Sequence, residues 1–367
     1  MTNDEIIKLL KKKQKIEKEI KELEHKKKDL NFVVETERRV DASNAAKQEA
    51  NKKYKQSLKI IQKLESEIDL ILETDQYKPR KINIPSFKHS GSEGIANLCL
   101  ADWHCEETVN PEEVMGYNKF NIKIAEERAR KAIDVAFRLI EIERYAMSIN
   151  KLVLYLLGDF LSGYIHEELM ISNSITPAEA ILFLEDILYS MISKLSSDKK
   201  FAVIDVICHP GNHSRYTNGR FIHHKGQAKK TFEWILYHNL AKTFNRVGNT
   251  RVNFIIPHGN IYVNREFKYP IRSQHGHNFK YAGGIGGAYI PINKKILRWN
   301  QKEQAYLDVF GHLHQFDAPR NYIQCGSLIG YNQYAQDCGY EYEPPKQALF
   351  FIEKKRGLVS TRPIYVG

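Results

Sequence analysis

Two different hydrophobic periods divide the chain. Near its start, Ile6, Leu9, Lys13, Ile16, Ile20, Leu23, Lys27 and Leu30 follow alternating steps of three and four, the a/d register of a helical seam, with Lys interrupting it twice. A second stripe runs through Tyr54, Leu58, Ile61, Leu64 or Glu65, Ile68 and Ile71. Between them lies a polar, Ala-rich stretch around Asp41 to Asn44, and residues 1–75 carry no Gly or Pro. The pattern permits a helical hairpin, and equally one long helix that dimerises in parallel. A charged helix that is merely solvated is the third reading.

Residues 76–92 contain Pro79, Pro85 and Gly91 and form a linker that cannot sustain a helix. In 93–367 the period changes. Short apolar runs at Ile95 to Ala101, Leu152 to Leu157, Phe201 to Cys208, Val252 to Ile256 and Tyr306 to Phe310 predict strands, separated by longer amphipathic stretches. Asn118 to Ile149 is helical in pattern, and Thr176-Pro177 supplies a cap and an N1 proline for a helix through Leu188 and Ile192. Tyr322 to Cys325, Ala348 to Glu353 and Val359 to Ile364 add later strands, so the expected fold class is α/β (α+β) in layers.

Composition adds a partner class. The 367 residues carry a formal net charge of +11 and a pI near 9.1, a balance that favours polyanions, nucleic acid and DNA above all. Cys99, Cys105, Cys208, Cys325 and Cys338 form no CxxC pair, which points to reduced thiols rather than a disulfide scaffold. Neither a secretory h-region nor an apolar run of membrane-spanning length occurs, so the expectation is a soluble cytoplasmic protein with no membrane contact.

The informative residues lie just past the strands. Ala101-Asp-Trp-His104 ends the first, Gly158-Asp-Phe-Leu-Ser-Gly163 the second and Pro210-Gly-Asn-His213 the third; Gln274-His-Gly-His277 and Phe310-Gly-His-Leu-His314 come later. Carboxylates, imidazoles and one amide oxygen make a mixed hard and borderline donor set, suited to Mn, Fe or Zn rather than Ca. Two such ions about 3.5–4 Å apart can hold a bridging hydroxide and clamp an in-line phosphoryl displacement. Each cluster alone is more often a cap or a turn; five in this order are hard to produce by accident.

The order DxH, GD, GNH, HGH, GHxH resembles the calcineurin-like metallophosphoesterase superfamily over Ile95 to Gly330. The resemblance implies a four-layer sandwich of two mixed sheets flanked by helices, here preceded by the N-terminal coiled-coil arm. It also implies two divalent ions. Asp102, His104 and His314 would hold the first, Asn212, His275 and His312 the second, with Asp159 bridging, and His213 would contact the phosphate and assist the leaving group. The stretches Gly326 to Ala335 and Tyr342 to Phe350 resemble a branch carried by bacteriophages, which implies the host cytoplasm; SbcD-type DNA-repair nucleases share DxH, GD, GNH and GHxH. The chain departs from the family where a second carboxylate near the bridging Asp and an acidic residue after GNH are usual, reading Phe160-Leu-Ser162 and Ser214.

For substrate, Ser214 to Lys230 is a basic loop with aromatic interleaving. Arg215 and Arg220 are candidates to grip phosphates and Tyr216 or Phe221 to stack on bases, against the alternative of a solvated basic face. His277 is assigned to the substrate side or to a position behind the ligands. His223 and His224 are read as loop residues, Tyr262 to Arg272 as a second basic and aromatic stretch at the same mouth, and Gly283 to Gly287 as a turn. The leading expectation is a two-metal DNA nuclease whose arm recruits a second copy or a partner protein. A phosphodiesterase or phosphatase for a small nucleotide is the alternative, and an inactive scaffold the third.

Overall fold

In the computed structural model the described residues are 3–37, 44–75, 91–216, 227–280 and 287–367. The chain divides into two compact units, Met1–Phe87 and Lys88–Gly367. The first holds α1 (Asn3–Glu37) and α2 (Asn44–Asp75), which pack on each other. Lys13, Ile16, Ile20 and Leu23 on α1, and Tyr54, Leu58, Ile61, Leu64 and Ile68 on α2, are the shielded positions among exposed Lys and Glu. Over these positions the step-of-three-and-four stripe is the face withdrawn from water, with Leu64 rather than Glu65 carrying it; Lys27 is exposed, and the side chains of Ile6, Leu9, Leu30 and Ile71 lie outside those described.

The second unit alternates β1 (Glu93–Leu100), α3 (Ile122–Arg144), β2 (Ser148–Leu156), α4 (Leu169–Ser172), α5 (Pro177–Ser197), β3 (Val203–Cys208), α6 (Phe232–Arg246) and β4 (Val252–Ile255). It continues with β5 (Tyr262–Glu266), β6 (Tyr269–Ser273), α7 (Tyr289–Asn300), β7 (Leu307–Phe310), β8 (Tyr322–Gln324), α8 (Gln333–Asp337), β9 (Lys346–Glu353) and β10 (Gly357–Tyr365). Asn121 caps α3 by accepting from the backbone of Lys123 and Ile124. Thr176 and Glu179 close a reciprocal capping box on α5, with Pro177 at its first position.

Among the described residues, one sheet has the order β10-β9-β1-β2-β3-β4 and the other β5-β6-β7-β8. Strands β1 to β4 are parallel, β9 is antiparallel to both β1 and β10, and in the second sheet only the β5–β6 hairpin is antiparallel. Both sheets are mixed. Along β1, Ala96, Leu98 and Leu100 pack with α3, α5 and α6, whereas Ile95 and Cys99, together with Ala101 just beyond, face Ile271, Leu307, Val309 and Ile323 of the second sheet. Burial on both faces explains why these strands are predominantly apolar, with isolated polar residues such as Asn97. The outer face of the second sheet, through Phe310 and Tyr322, packs against Ile292 and Ile296 of α7. The result is four layers, helix–sheet–sheet–helix, the sandwich that the resemblance implied.

Two details depart from the sequence reading. Helix α3 occupies only the middle of Asn118 to Ile149, because Asn121 caps it and β2 has begun by Ser148. The basic stretch Tyr262 to Arg272 is the β5–β6 hairpin, turning at Phe267 with φ 54°. Its Arg272 is buried in a bidentate pair with Asp308, at 2.7 and 2.9 Å, and so grips no phosphate at the mouth. All five cysteines are unpaired, Cys338 alone being exposed. No helix among the described residues is long and apolar enough to cross a membrane.

Candidate metal centre

The parallel strands β1, β2 and β3 end on one edge, and the loops leaving them are tied together by their backbones. Asp102 N donates to Gly158 O at 3.0 Å, and Trp103 N and His104 N both donate to Asp159 O, at 2.8 and 3.1 Å. From the second sheet, the loops after β6 and β7 arrive at the same place, joined by Gly311 N to His275 O at 2.8 Å. The turns are tight. Asp102, His104, Asp159, His312 and His314 all have φ between 48° and 72°, left-handed backbone that side chains adopt only when their surroundings enforce it. Gly211 is required by close approach, since a Cβ there would lie 2.0 Å from Asp159 Oδ1.

This scaffold brings the predicted ligand residues into one cluster. Donor atoms of Asp102, His104 and His314 lie within 4.8 Å of one another, as do those of Asp159, His275 and His312. A third such group, His104, Asp159 and His213, joins the first two, so Asp159 is common to both sides. Asn212 enters through its Oδ1, 3.1 Å from His275 Nε2, and Asp159 Oδ2 is 2.8 Å from the same nitrogen. His104 Nε2 and His314 Nε2 stand 3.1 Å apart, with Asp102 Oδ1 3.7 Å from the latter. That buried carboxylate oxygen has no hydrogen-bond partner among the described residues.

The electrostatics ask for cations. Burial pushes the Asp102 carboxyl well above the usual range. Burial and neighbouring imidazoles push His104 and His312 well below theirs, and His314 to about 4, so these rings are neutral and offer lone pairs. His275 goes the other way. Burial alone would lower it, yet Asp159 and Asp102 hold it up at about 9. Burial would raise Asp159 too, but His275 and His213 outweigh it and hold that carboxyl well below the usual carboxylate range. Asp102 and His275 thus retain protons in the space where ligand atoms converge, which is the place a divalent ion would occupy instead. The donor set fits such ions.

Ring orientations are set from behind. His275 Nδ1 is bonded to Leu157 O at 2.7 Å and His213 Nδ1 to Ser162 O at 3.1 Å, which leaves each Nε2 facing the cluster. Asp159 Oδ1 accepts from His213 N at 2.8 Å, and Asp102 Oδ2 from His312 N at 2.8 Å. Two buried carboxylates brace the loops from behind. Glu233, from the first turn of α6, accepts from Phe160 N at 2.7 Å, Gly211 N at 2.6 Å and Ser214 Oγ at 2.8 Å, bracing the loops of Asp159 and Asn212. Glu106 accepts from Gly163 N at 2.8 Å on the other side. Sequence reasoning passed over both, because neither lies in a ligand cluster and only the packing brings them to it.

A cleft of about 600 Å³ opens over the cluster, lined by His104, Asn212, His213, His312 and His314 at its floor. Its walls include Glu107, His166, Glu168, Leu169, Tyr334 and Asp337. Arg215 is half-buried in an isolated antiparallel bridge with Thr231, and Tyr216 beside it is exposed. His277 is bonded to Gln227 at 3.1 Å, its ring 5.7 Å from that of His275. Arg220, Phe221, His223 and His224 lie outside the described residues, as does most of Gly283 to Gly287. Trp103 is buried against Phe160.

Fold and cluster together define a layered α/β protein with a buried Asp/His/Asn centre suited to divalent ions. No protein-family model matches the chain, and no curated protein does. Among solved structures, an archaeal phosphodiesterase is similar over 74% of this chain and 99% of its own, at 12% identity and a TM-score of 0.32. A hypothetical protein from Pyrococcus horikoshii OT3 is similar over 74% of this chain and 88% of its own, at 12% identity and a TM-score of 0.34. Vps29 complexed with zinc, from Entamoeba histolytica, covers 48% of this chain and 88% of its own, at 11% identity and a TM-score of 0.26. At such scores these likenesses assign no chemistry to this chain, whose reading rests on its own donor atoms.

Proposed function

We propose that the protein is a two-metal phosphodiesterase acting on nucleic acid, a DNA nuclease that takes a chain end. The observation that carries this is the convergence of His104 Nε2, His314 Nε2 and the unpartnered Asp102 Oδ1 beside a second convergence of Asp159, His275, His312 and Asn212. Asp102, His104 and His314 would hold one ion and Asn212, His275 and His312 the other, with Asp159 available to both; the mixed donor set favours Mn, with Fe or Zn as alternatives. When bound, such ions polarise phosphoryl oxygens and lower the pKa of water.

The chain's own groups do the rest. His213, held through Nδ1 by Ser162 O, would present Nε2 to the leaving oxygen and donate a proton there. Burial lowers its pKa, and the Asp159 charge partly offsets that. Leu169 and Tyr334 offer apolar wall to a base. A cleft of about 600 Å³ seats one nucleotide unit, which argues for a terminus rather than the middle of a duplex. The net charge of +11 draws the polymer in.

Labelled linear and closed circular single strands with Mn²⁺ test this. Shortening of the linear strand alone is expected, abolished in Asp159→Ala and His213→Ala; no cleavage, or cleavage of circles, overturns it. A small-nucleotide phosphodiesterase is favoured by one observation, the carboxylates Glu107, Glu168 and Asp337 in the cleft wall, which repel further phosphates. Turnover of nucleotides without attack on polymer would select it.

A further inference from the structure

We infer that Ser162 and Glu107 are positioning residues that fix the tautomer of His104 and thereby the affinity of the first ion site; this rests on the two-metal reading of the cluster. His275 and His213 are oriented by backbone carbonyls. His104 is not. Its Nδ1 lies 3.0 Å from Ser162 Oγ, and that hydroxyl lies 3.2 Å from Glu107 Oε2. The other carboxylate oxygen, Oε1, accepts from Asn332 Nδ2 at 2.9 Å.

Donor arithmetic gives the chain its direction. An ionised carboxylate only accepts, so Ser162 spends its one proton on Glu107 and has only lone pairs left for the imidazole. His104 must then carry its hydrogen on Nδ1, and its Nε2 presents a bare lone pair toward His314 Nε2. With the opposite polarity, Nε2–H would point at the donor cluster and could not ligate. Ser162 is fully buried and Glu107 is 7% exposed, so water does not replace either partner cheaply.

The same carboxylate reaches the cleft wall. Asn332 caps α8 by accepting from Ala335 N at 3.0 Å, and α8 carries Tyr334 and Asp337. Glu107 therefore holds a ligand and a substrate-facing wall in one register.

The test is metal titration of the full chain, stripped of metal, by calorimetry with Mn²⁺ at about pH 8. Glu107→Gln and Ser162→Ala are each expected to weaken one of two Mn²⁺ sites by about 10- to 100-fold while sparing the other. Nitrogen-15 spectra of the metal-free protein should show His104 as the Nδ1–H tautomer in the wild type and mixed in both variants. Ser162→Ala keeps the test open if Glu107→Gln does not fold. Unchanged affinity and an unchanged tautomer in a folded variant overturn the inference alone. A wild type that binds no Mn²⁺ overturns the two-metal reading with it.

Discussion

His104 and His314 face each other Nε2 to Nε2 at 3.1 Å, on loops leaving strands of different sheets. Two neutral imidazoles gain little from that contact unless an electrophile lies against both. His314→Ala is therefore expected to remove one bound ion and to lower kcat/KM by roughly 100-fold or more, since an ion held by Asp102 and His104 alone is poorly fixed. Elemental analysis of the purified variant beside its phosphodiesterase activity checks this. Full metal content with full activity would remove His314 from the set.

His213 touches Asp159 through its backbone and the cleft through its ring. As proton donor it matters in proportion to the basicity of the departing oxygen. His213→Ala should lose roughly 10²- to 10⁴-fold in kcat on a nucleotide ester, whose alkoxide must be protonated. The same variant should lose far less on a p-nitrophenyl ester, whose phenolate leaves unaided. An equal loss on both substrates would make the residue a phosphate anchor instead.

What the sequence disclosed and what it hid have separate physical causes. Strands β1 to β3 were legible because burial on both faces leaves them predominantly apolar, with isolated exceptions such as Asn97 and Asp205, and the cluster after each was legible because turn residues gather there. The β5–β6 hairpin was not, because Tyr262 to Glu266 reads polar and Arg272 reads as a free cation until the fold supplies Asp308. Glu233 was hidden for a similar reason. An acid in the first turn of a helix after Thr231 is ordinary, and only the packing of α6 carries it under Gly211 and Phe160. No residue pattern announced the left-handed backbone at Asp102, His104, Asp159, His312 and His314, which the surrounding loops impose.

Glu233 also carries a stability prediction. Its carboxylate satisfies two backbone N–H groups and a hydroxyl, all out of water. Glu233→Ala leaves them unpaired beside Asp159, at a cost of roughly 3 kcal/mol or more. Thermal melts should register that loss, and Mn²⁺ affinity should fall too, because the Asp159 and Asn212 loops lose their common brace. A variant as stable as the wild type would mean that the loops hold each other without it.

Glu266 lies between the sheets, far in function from the metal cluster, and accepts from Asn97 Nδ2 at 2.9 Å, Tyr155 Oη at 3.1 Å and Asn264 Nδ2 at 3.2 Å. Burial pushes its carboxyl from 4.5 up to about 7. Over that interval the folded protein holds a proton that the unfolded chain has released, so unfolding free energy falls as pH rises through the window. The loss attributable to this one group amounts to roughly 3 kcal/mol. Glu266→Gln, which mimics the protonated acid at every pH, is expected to flatten that part of the profile. Glu107 and Glu233, also raised to about 7 by burial, contribute their own slope to both proteins. The difference between variant and wild type in urea unfolding, followed between about pH 5 and pH 8, therefore isolates Glu266. Parallel profiles would show that Asn97, Tyr155 and Asn264 stabilise the ionised carboxylate well enough to cancel its burial.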